Sequence, residues 1–300
     1  MSPTTGNRGI VRLAALVLIG ATTLTGCSAV KEASSSAGEE ASEGDNVISV
    51  IATDDPAFSE PLDQAKANLE KDGYTVKVDL VTDIVLPNTA VEQKQYDFNF
   101  FQNNAYRENF NEERGTDIQP AFYGFGAPSG IYSKKYRSIA ELPEGARIAI
   151  PQDPANNGRT LRLLADAGLL TLKPNNVIRT SQRDILENPR NLRLIEVDQQ
   201  TLLKTLPDVD AAFLFGRYAL RAGLDPVKDA LQFETEEAVH LPYSLVVATR
   251  ADRVNGKEAQ DFRKAFQQDN VRQKYLDLFG DWVPLPWDRD PQADIAEWNS

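Results

Sequence analysis

Between residues 46 and 284, short β-branched runs take turns with amphipathic stretches, and this alternation constrains the fold more than any other feature of the chain. The runs 47–52, 75–81, 148–150, 192–197, 211–214 and 245–248 predict strands. The spacing predicts helices over 61–71, 158–167, 201–206 and 257–278, the last broken near Asp269. Alternation of this kind implies an α/β fold with mainly parallel sheets flanked by helices. About 235 residues are enough for one large or two medium α/β domains. There is no repeat of fixed period and no further membrane-spanning run.

The N-terminus carries a different signal. Arg8 and Arg12 precede an apolar stretch, 13–19, and small residues lead to Leu24-Thr-Gly-Cys27. This is the pattern of a secretory signal (residues 1–26), and its apolar part is too short to span a bilayer comfortably. A small residue before a cysteine suits lipidation of the thiol and cleavage ahead of it, so the mature chain is expected to begin at Cys27, lipid-anchored on the extracytoplasmic face of the cell membrane. Residues 28–45 are mostly Ser, Ala, Glu and Gly and cannot bury a core. With Cys27 they read as a tether over 27–45 whose ends lie roughly 20 to 25 Å apart. At the other end, 285–300, with its prolines and Trp287 and Trp298, reads as an irregular tail fastened to the body by the tryptophans.

Composition removes several chemistries. Cys27 is the only cysteine and His240 the only histidine, so neither an intrachain disulfide nor a structural zinc site of the Cys/His kind can form. A catalytic triad would have to use His240, and no nucleophile motif accompanies it. No cofactor is expected. The formal charge of −12, or −14 once Arg8 and Arg12 are removed with the signal, makes nucleic acid and anionic lipid surfaces poor partners. An extracellular hydrolase would need paired carboxylates. Asp208 and Asp210 alternate along a predicted strand and face opposite sides, while Glu112-Glu113 and Glu236-Glu237 read as solvated faces.

Two stretches read as sites. Pro151-Gln-Asp-Pro-Ala-Asn-Asn-Gly-Arg159 follows a predicted strand and opens a helix. Free backbone N–H groups, the positive end of a helix dipole and the Arg159 guanidinium suit a carboxylate; the other reading is a plain helix cap with a surface arginine. In Tyr96-Asp-Phe-Asn-Phe-Phe-Gln-Asn-Asn-Ala-Tyr106, aromatics at 98, 100, 101 and 106 interleave with amides at 99, 102, 103 and 104. The mixture fits a mostly apolar pocket with a few orienting polar groups; taken alone, the stretch reads first as a core strand with a polar turn.

Taken in order, these stretches resemble the NlpA/MetQ family, lipoprotein substrate-binding components of methionine-type ABC importers. The landmarks run from about Ile48 to Trp287. They are Leu86-Pro-Asn-Thr-Ala-Val91, Phe101-Gln-x-x-x-Tyr106, Tyr132-Ser-Lys-Lys135, Pro151-x-Asp-Pro-x-Asn-x-Gly-Arg159, Glu187-Asn-Pro189, Glu196-Val-Asp198, Asp208-Val-Asp210, Tyr218-Ala219 and Pro242-Tyr243. The resemblance implies a non-enzymatic, two-lobed periplasmic-binding-protein fold of type II, with a solute held between the lobes and a cognate permease and ATPase as partners. Its crossover segments are expected near 131–134 and 241–246. Lobe one would comprise 46–132 and 246–284, and lobe two 133–245.

The same resemblance implies that Asn156 and Arg159 hold a ligand carboxylate. Elsewhere the pocket departs from the family. Where relatives carry Asn-x-Asn-Tyr-Ala, this chain has Phe215-Gly-Arg217-Tyr-Ala219, and an amide near Tyr243 is replaced by Ser244 or Leu245. The family's Phe-Gln-His-x-Pro-Tyr is here Phe101-Gln-Asn103-Asn-Ala105-Tyr106, and its tyrosine ahead of Leu-Pro-Asn is Ile84. Two alternatives remain open. Arg217 faces the ligand, which then lacks a free α-ammonium or carries a second anionic group, or Arg217 turns to solvent or pairs with a carboxylate such as Asp210 and amino-acid binding survives. A non-transport sensor or adhesin would share this fold.

Overall fold

The computed structural model describes residues 46–174, 177–234 and 241–298. The signal, Cys27, the tether, Glu236-Glu237 and His240 lie outside the described residues. The chain opens with β1 (Val47–Thr53), α1 (Pro56–Lys71), β2 (Thr75–Val81), α2 (Leu86–Glu92), β3 (Phe98–Asn103), α3 (Asn104–Arg114) and β4 (Ile118–Phe125). It continues with β5 (Ser129–Tyr132), β6 (Arg147–Pro151), α4 (Pro154–Asp166), β7 (Thr171–Leu172), β8 (Ile185–Glu187), β9 (Arg193–Val197), α5 (Leu202–Thr205), β10 (Ala211–Phe215), α6 (Gly216–Arg221) and β11 (Gln232–Phe233). After β12 (Leu245–Arg250) come α7 (Lys257–Phe266), α8 (Asp269–Phe279) and α9 (Pro291–Trp298).

Ten of the described strands form two five-stranded sheets, ordered β2-β1-β3-β12-β4 and β11-β5-β10-β6-β9, and β7 and β8 pair with each other. Each has its own core. Phe58, Phe100 and Phe125 centre the first, with Phe58 meeting the other two edge-on at 4.9 and 5.4 Å. Such contacts are worth about 0.5–1.5 kcal/mol each beyond burial. Ile148, Leu161, Leu164, Phe213 and Leu214 centre the second. The expectation of mainly parallel sheets is corrected. β1 pairs in parallel with β2 and β3, and β6 with β9 and β10, but β12 runs antiparallel to both β3 and β4, and β5 antiparallel to both β10 and β11. In the first sheet the antiparallel partner of β3 and β4 is the strand returning from the second sheet, so direction follows how each sheet is entered.

Two other expectations differ from what is observed. β5 was assigned by sequence to the end of the first lobe, yet it pairs with β10 in the second sheet. The first crossing therefore falls at Gly126-Ala127-Pro128, ahead of the expected 131–134, because a short, fully buried strand carries nothing that tells which sheet it joins. The 285–300 tail is not irregular throughout: Pro291 starts a helix, α9, after the side chain of Asp290 accepts from the backbone N–H of Gln292 at 2.9 Å. Trp287 is buried, with its indole Nε1 donating to the Gly124 carbonyl at 2.7 Å. Trp298 packs on the cluster of Ile51, Tyr123 and Val246.

Helix starts follow local chemistry. Asp55 caps α1, its carboxylate accepting from Ala57 N at 3.0 Å with Pro56 in the first helical position. Asn103 caps α3 and Asp153 caps α4 in the same manner. The predicted long C-terminal helix does break, at Gln267-Gln268 between α7 and α8.

Candidate functional site

The three mutually parallel strands of each sheet end at one cleft. Thr53 closes β1, Thr82 follows β2, and Phe101, Gln102 and Asn103 close β3. Across from them Gln199 and Gln200 follow β9, Phe215 closes β10, and Asn156 and Arg159 lie on α4 just past β6. Ligands of open α/β sheets sit outside the carboxyl ends of the strands. Ala127 and Tyr243, from the two connections between the sheets, complete the lining of a space of about 580 Å³ that includes its open mouth.

Of the residues singled out by sequence, Phe101, Asn103, Tyr106, Asn156, Arg159, Phe215, Arg217 and Tyr243 all line this cleft. Ser244 does not and is corrected. It is fully buried with its Oγ unpartnered, while its neighbours Tyr243 and Leu245 face the cleft. Ser244 stands at the junction between a helical turn, Leu241–Tyr243, and the start of β12 at Leu245, its backbone N–H donating to the Leu241 carbonyl at 2.9 Å. The aromatic-amide stretch divides similarly. Phe98 and Phe100 enter the first core, whereas Phe101 meets Tyr106 edge-on at 5.7 Å beside the cleft. Asn99 and Gln102 are locked with Asn88 in a buried amide network of bonds between 2.6 and 3.0 Å.

The α4 start is less open to an anion than its sequence suggests. Asp153 Oδ1 accepts from both the backbone N–H and the side-chain Nδ2 of Asn156, at 2.9 and 3.0 Å. Burial pushes the Asp153 carboxyl above its ordinary 3.8, the Asn156 hydrogen bonds opposing the shift. Arg159 stands in the second helical turn rather than the first, and it is already engaged. Its Nε and Nη2 donate to the two oxygens of Glu234 at 2.8 and 2.5 Å, and Nη2 also to the Ala127 carbonyl at 2.7 Å. Both partners are essentially without solvent exposure. The guanidinium lies 4.6 Å from the Tyr243 ring centroid, and its Nη1 is buried with no hydrogen-bond partner among the described residues.

Arg217 faces the cleft and pairs neither with solvent nor with Asp210. Asp210 instead accepts from Arg147 N and Lys135 Nζ. The guanidinium of Arg217 lies against the rings of both Phe215 and Tyr218, at 4.7 and 4.6 Å, with Phe58 at 5.6 Å. Its nearest carboxylate is Asp55 at 3.8 Å, across the cleft on the cap of α1. Arg221 Nη1, not Arg217, donates to Asp55 Oδ2, at 3.1 Å. Further contacts join the two sides: Asn103 Nδ2 to Asn156 Oδ1 at 3.3 Å and Gln200 Nε2 to the Thr82 carbonyl at 2.6 Å. A second recess, sharing Ile84, Tyr106 and Gln199 with the cleft, carries the acids Glu113, Asp153 and Asp198.

Sequence reasoning missed Glu234 and Asp55, the two carboxylates that set the charge of the arginines. Glu234 lies 75 residues beyond Arg159 and Asp55 lies 166 before Arg221. Only the folded topology brings them together, and no local signal marks either.

Comparison with known proteins follows the same outline. The NlpA lipoprotein family profile matches residues 48–283. The probable D-methionine-binding lipoprotein MetQ of Pasteurella multocida is 34% identical over 273 residues, 90% of this chain and 96% of that protein. A putative lipoprotein from Ruminococcus gnavus superposes with a TM-score of 0.74 at 34% identity, covering 80% of this chain and 99% of that one. A nutrient binding protein from Burkholderia cenocepacia, solved bound to methionine, gives 0.73 at 34% identity over 79% and 99% of the two chains.

Proposed function

Because this chain belongs to the NlpA lipoprotein family, we propose that it is the membrane-anchored, extracytoplasmic solute receptor of an ABC importer. It binds a small carboxylate-bearing solute between its two lobes and presents it to a cognate permease and ATPase. It is a binding protein, not an enzyme. Cys27 is the lipidation site. Relatives named as D-methionine-binding lipoproteins, and the Burkholderia cenocepacia protein bound to methionine, support the receptor role and the class of solute.

One observation carries the reading: Arg159 Nη1 is a buried charged donor on the cleft wall that no described residue satisfies. Leaving such a donor unmade costs about 1–3 kcal/mol or more, and a carboxylate entering beside Asn156 removes that cost. Lobe one is the side with α1 and α3, lobe two the side with α4 and α6, and the connections at 126–128 and 241–244 serve as hinges. Solute binding favours the closed arrangement in which Asp55 and the arginines of α6, and Asn103 and Asn156, already meet.

The test is calorimetric titration of the full-length lipoprotein in detergent with methionine, other amino acids, and mono- and dicarboxylates. Saturable binding of at least one of these acids, with a matching rise in thermal midpoint, is expected; a ligand at a hundred times its Kd adds about 2.7 kcal/mol. Binding of none of them refutes the reading.

A further inference from the structure

Among the described residues seventeen line the cleft, and they include two arginines and no carboxylate. An ammonium group placed here would meet only neutral acceptors. The positive charge is not shared evenly between the two arginines. Arg159 is neutralised by a bidentate carboxylate, Glu234, which also accepts from Ser129 N at 2.9 Å. Arg217 has no such partner among the described residues: a single carboxylate, Asp55, faces both Arg217 at 3.8 Å and Arg221 at 3.1 Å, and it accepts a hydrogen bond from Arg221 only. Two guanidiniums against one acid leave an uncompensated positive charge. Arg217 Nε is buried without a hydrogen-bond partner.

The Arg217 fork is held ready for an anion. Phe215 and Tyr218 hold the guanidinium through their ring faces and shed water around it, which favours strong, directional hydrogen bonds from its edge. The two cationic heads also share a mount. Arg159 lies over Phe213 at 5.8 Å and Arg217 over Phe215 at 4.7 Å, two residues apart on β10, with ring centroids 5.3 Å from each other. Both heads therefore sit against the same face of β10, a placement that suits a molecule with an acid group at each end.

Resting on the receptor reading of this cleft, we propose that the solute is a short dianion of the dicarboxylate class with no free ammonium, and that Arg217 recognises its second acid group while Asn156 and Arg159 Nη1 receive the first. Arg217 is the specificity-determining residue. Among the described residues the acids next to the arginines, Glu234 and Asp55, are already paired with guanidiniums, and the others belong to the adjoining recess, so a zwitterion's ammonium seated between the arginines gains little from them.

Calorimetry of the full-length lipoprotein with succinate, glutarate, butyrate and methionine tests this, using wild type, Arg217→Gln and Arg217→Lys. Succinate or glutarate is expected to bind at least tenfold more tightly than butyrate or methionine, the scale of one charge-assisted hydrogen bond. Arg217→Gln should collapse the dicarboxylate-to-butyrate ratio toward unity, and Arg217→Lys should retain part of it. Thermal midpoints of the ligand-free variants establish that they are folded, and the wild-type ratio decides the ligand class should Arg217→Gln not fold. Methionine binding more tightly than either dicarboxylate overturns the dianion proposal and leaves the receptor reading standing. A dicarboxylate preference that survives in Arg217→Gln overturns the role of Arg217. Failure of all four acids to bind overturns the dianion proposal, and the receptor reading falls with it only if the other amino acids and carboxylates of the wider titration fail as well.

Discussion

Replacing Glu234 by Gln keeps the shape of the Arg159 partner and removes its charge. Both side chains are essentially buried, and three nitrogens of the protein, Arg159 Nε and Nη2 and Ser129 N, converge on this carboxylate. Removing one member of a buried ion pair leaves an uncompensated charge and costs about 3–5 kcal/mol. In a body of this size each kcal/mol lowers the midpoint by about 2–4 °C, so a fall of about 6–20 °C is expected. Urea unfolding should give the same loss as a lower midpoint with an unchanged slope. The double variant Arg159→Met/Glu234→Leu removes both charges and is expected to recover most of the stability, since apolar replacement of a buried pair is often neutral or better. Anion binding should move the other way: with Glu234 neutral, Arg159 offers its full charge to the solute, and Glu234→Gln should bind a carboxylate more tightly than wild type. An unfolding free energy for Glu234→Gln within about 1 kcal/mol of wild type would refute the premise that the pair is desolvated.

Other positions make separable predictions. A Cβ on Gly158 would meet the Thr180 carbonyl oxygen at 2.1 Å, so Gly158→Ala should lose about 1–3 kcal/mol by urea unfolding although alanine is the better helix former. Trp287→Ala should cost about 3–5 kcal/mol by the same measurement, because it empties a site in the first core and breaks the bond to Gly124. Asp210 is held below its ordinary 3.8, first by the Arg147 backbone N–H and then by Lys135. With the folded value depressed, its contribution is complete above the unfolded value and lost as pH falls through the folded one. Unfolding of Asp210→Asn followed below about pH 4 should therefore show a shallower acid decline than wild type.

Much of the framework is legible in the sequence. Residues 75–81 are read as a strand and are one, because β-branched residues lie between a turn at Gly73 and the polar Thr82-Asp83. α1 is read to begin at Pro61 but begins at Pro56; proline suits a first turn, and here two prolines compete while Asp55 decides as the cap. β5 and β11 are too short to carry a period, and their membership depends on partners far along the chain. The site divides in the same way. Asn156 and Arg159 are found from a strand, a cap and a helix in immediate succession. Glu234 and Asp55 act through charge at long separation, and Ser244 is misassigned because it sits where a turn gives way to β12, a junction whose side-chain direction no local pattern marks.

The position of β12 bears on the order of assembly. It is the strand between β3 and β4, yet it is made after every strand of the second sheet. A chain emerging from its N-terminus has all of β5 to β11 available for pairing before the first sheet can unite its edge strand with the rest. Until residue 250 arrives, β3 and β4 each present an open edge, the kind of surface that pairs with stray strands. The half of the body written first is thus the half completed last, and any agent that guards the exported chain has to do so for the whole span between the two.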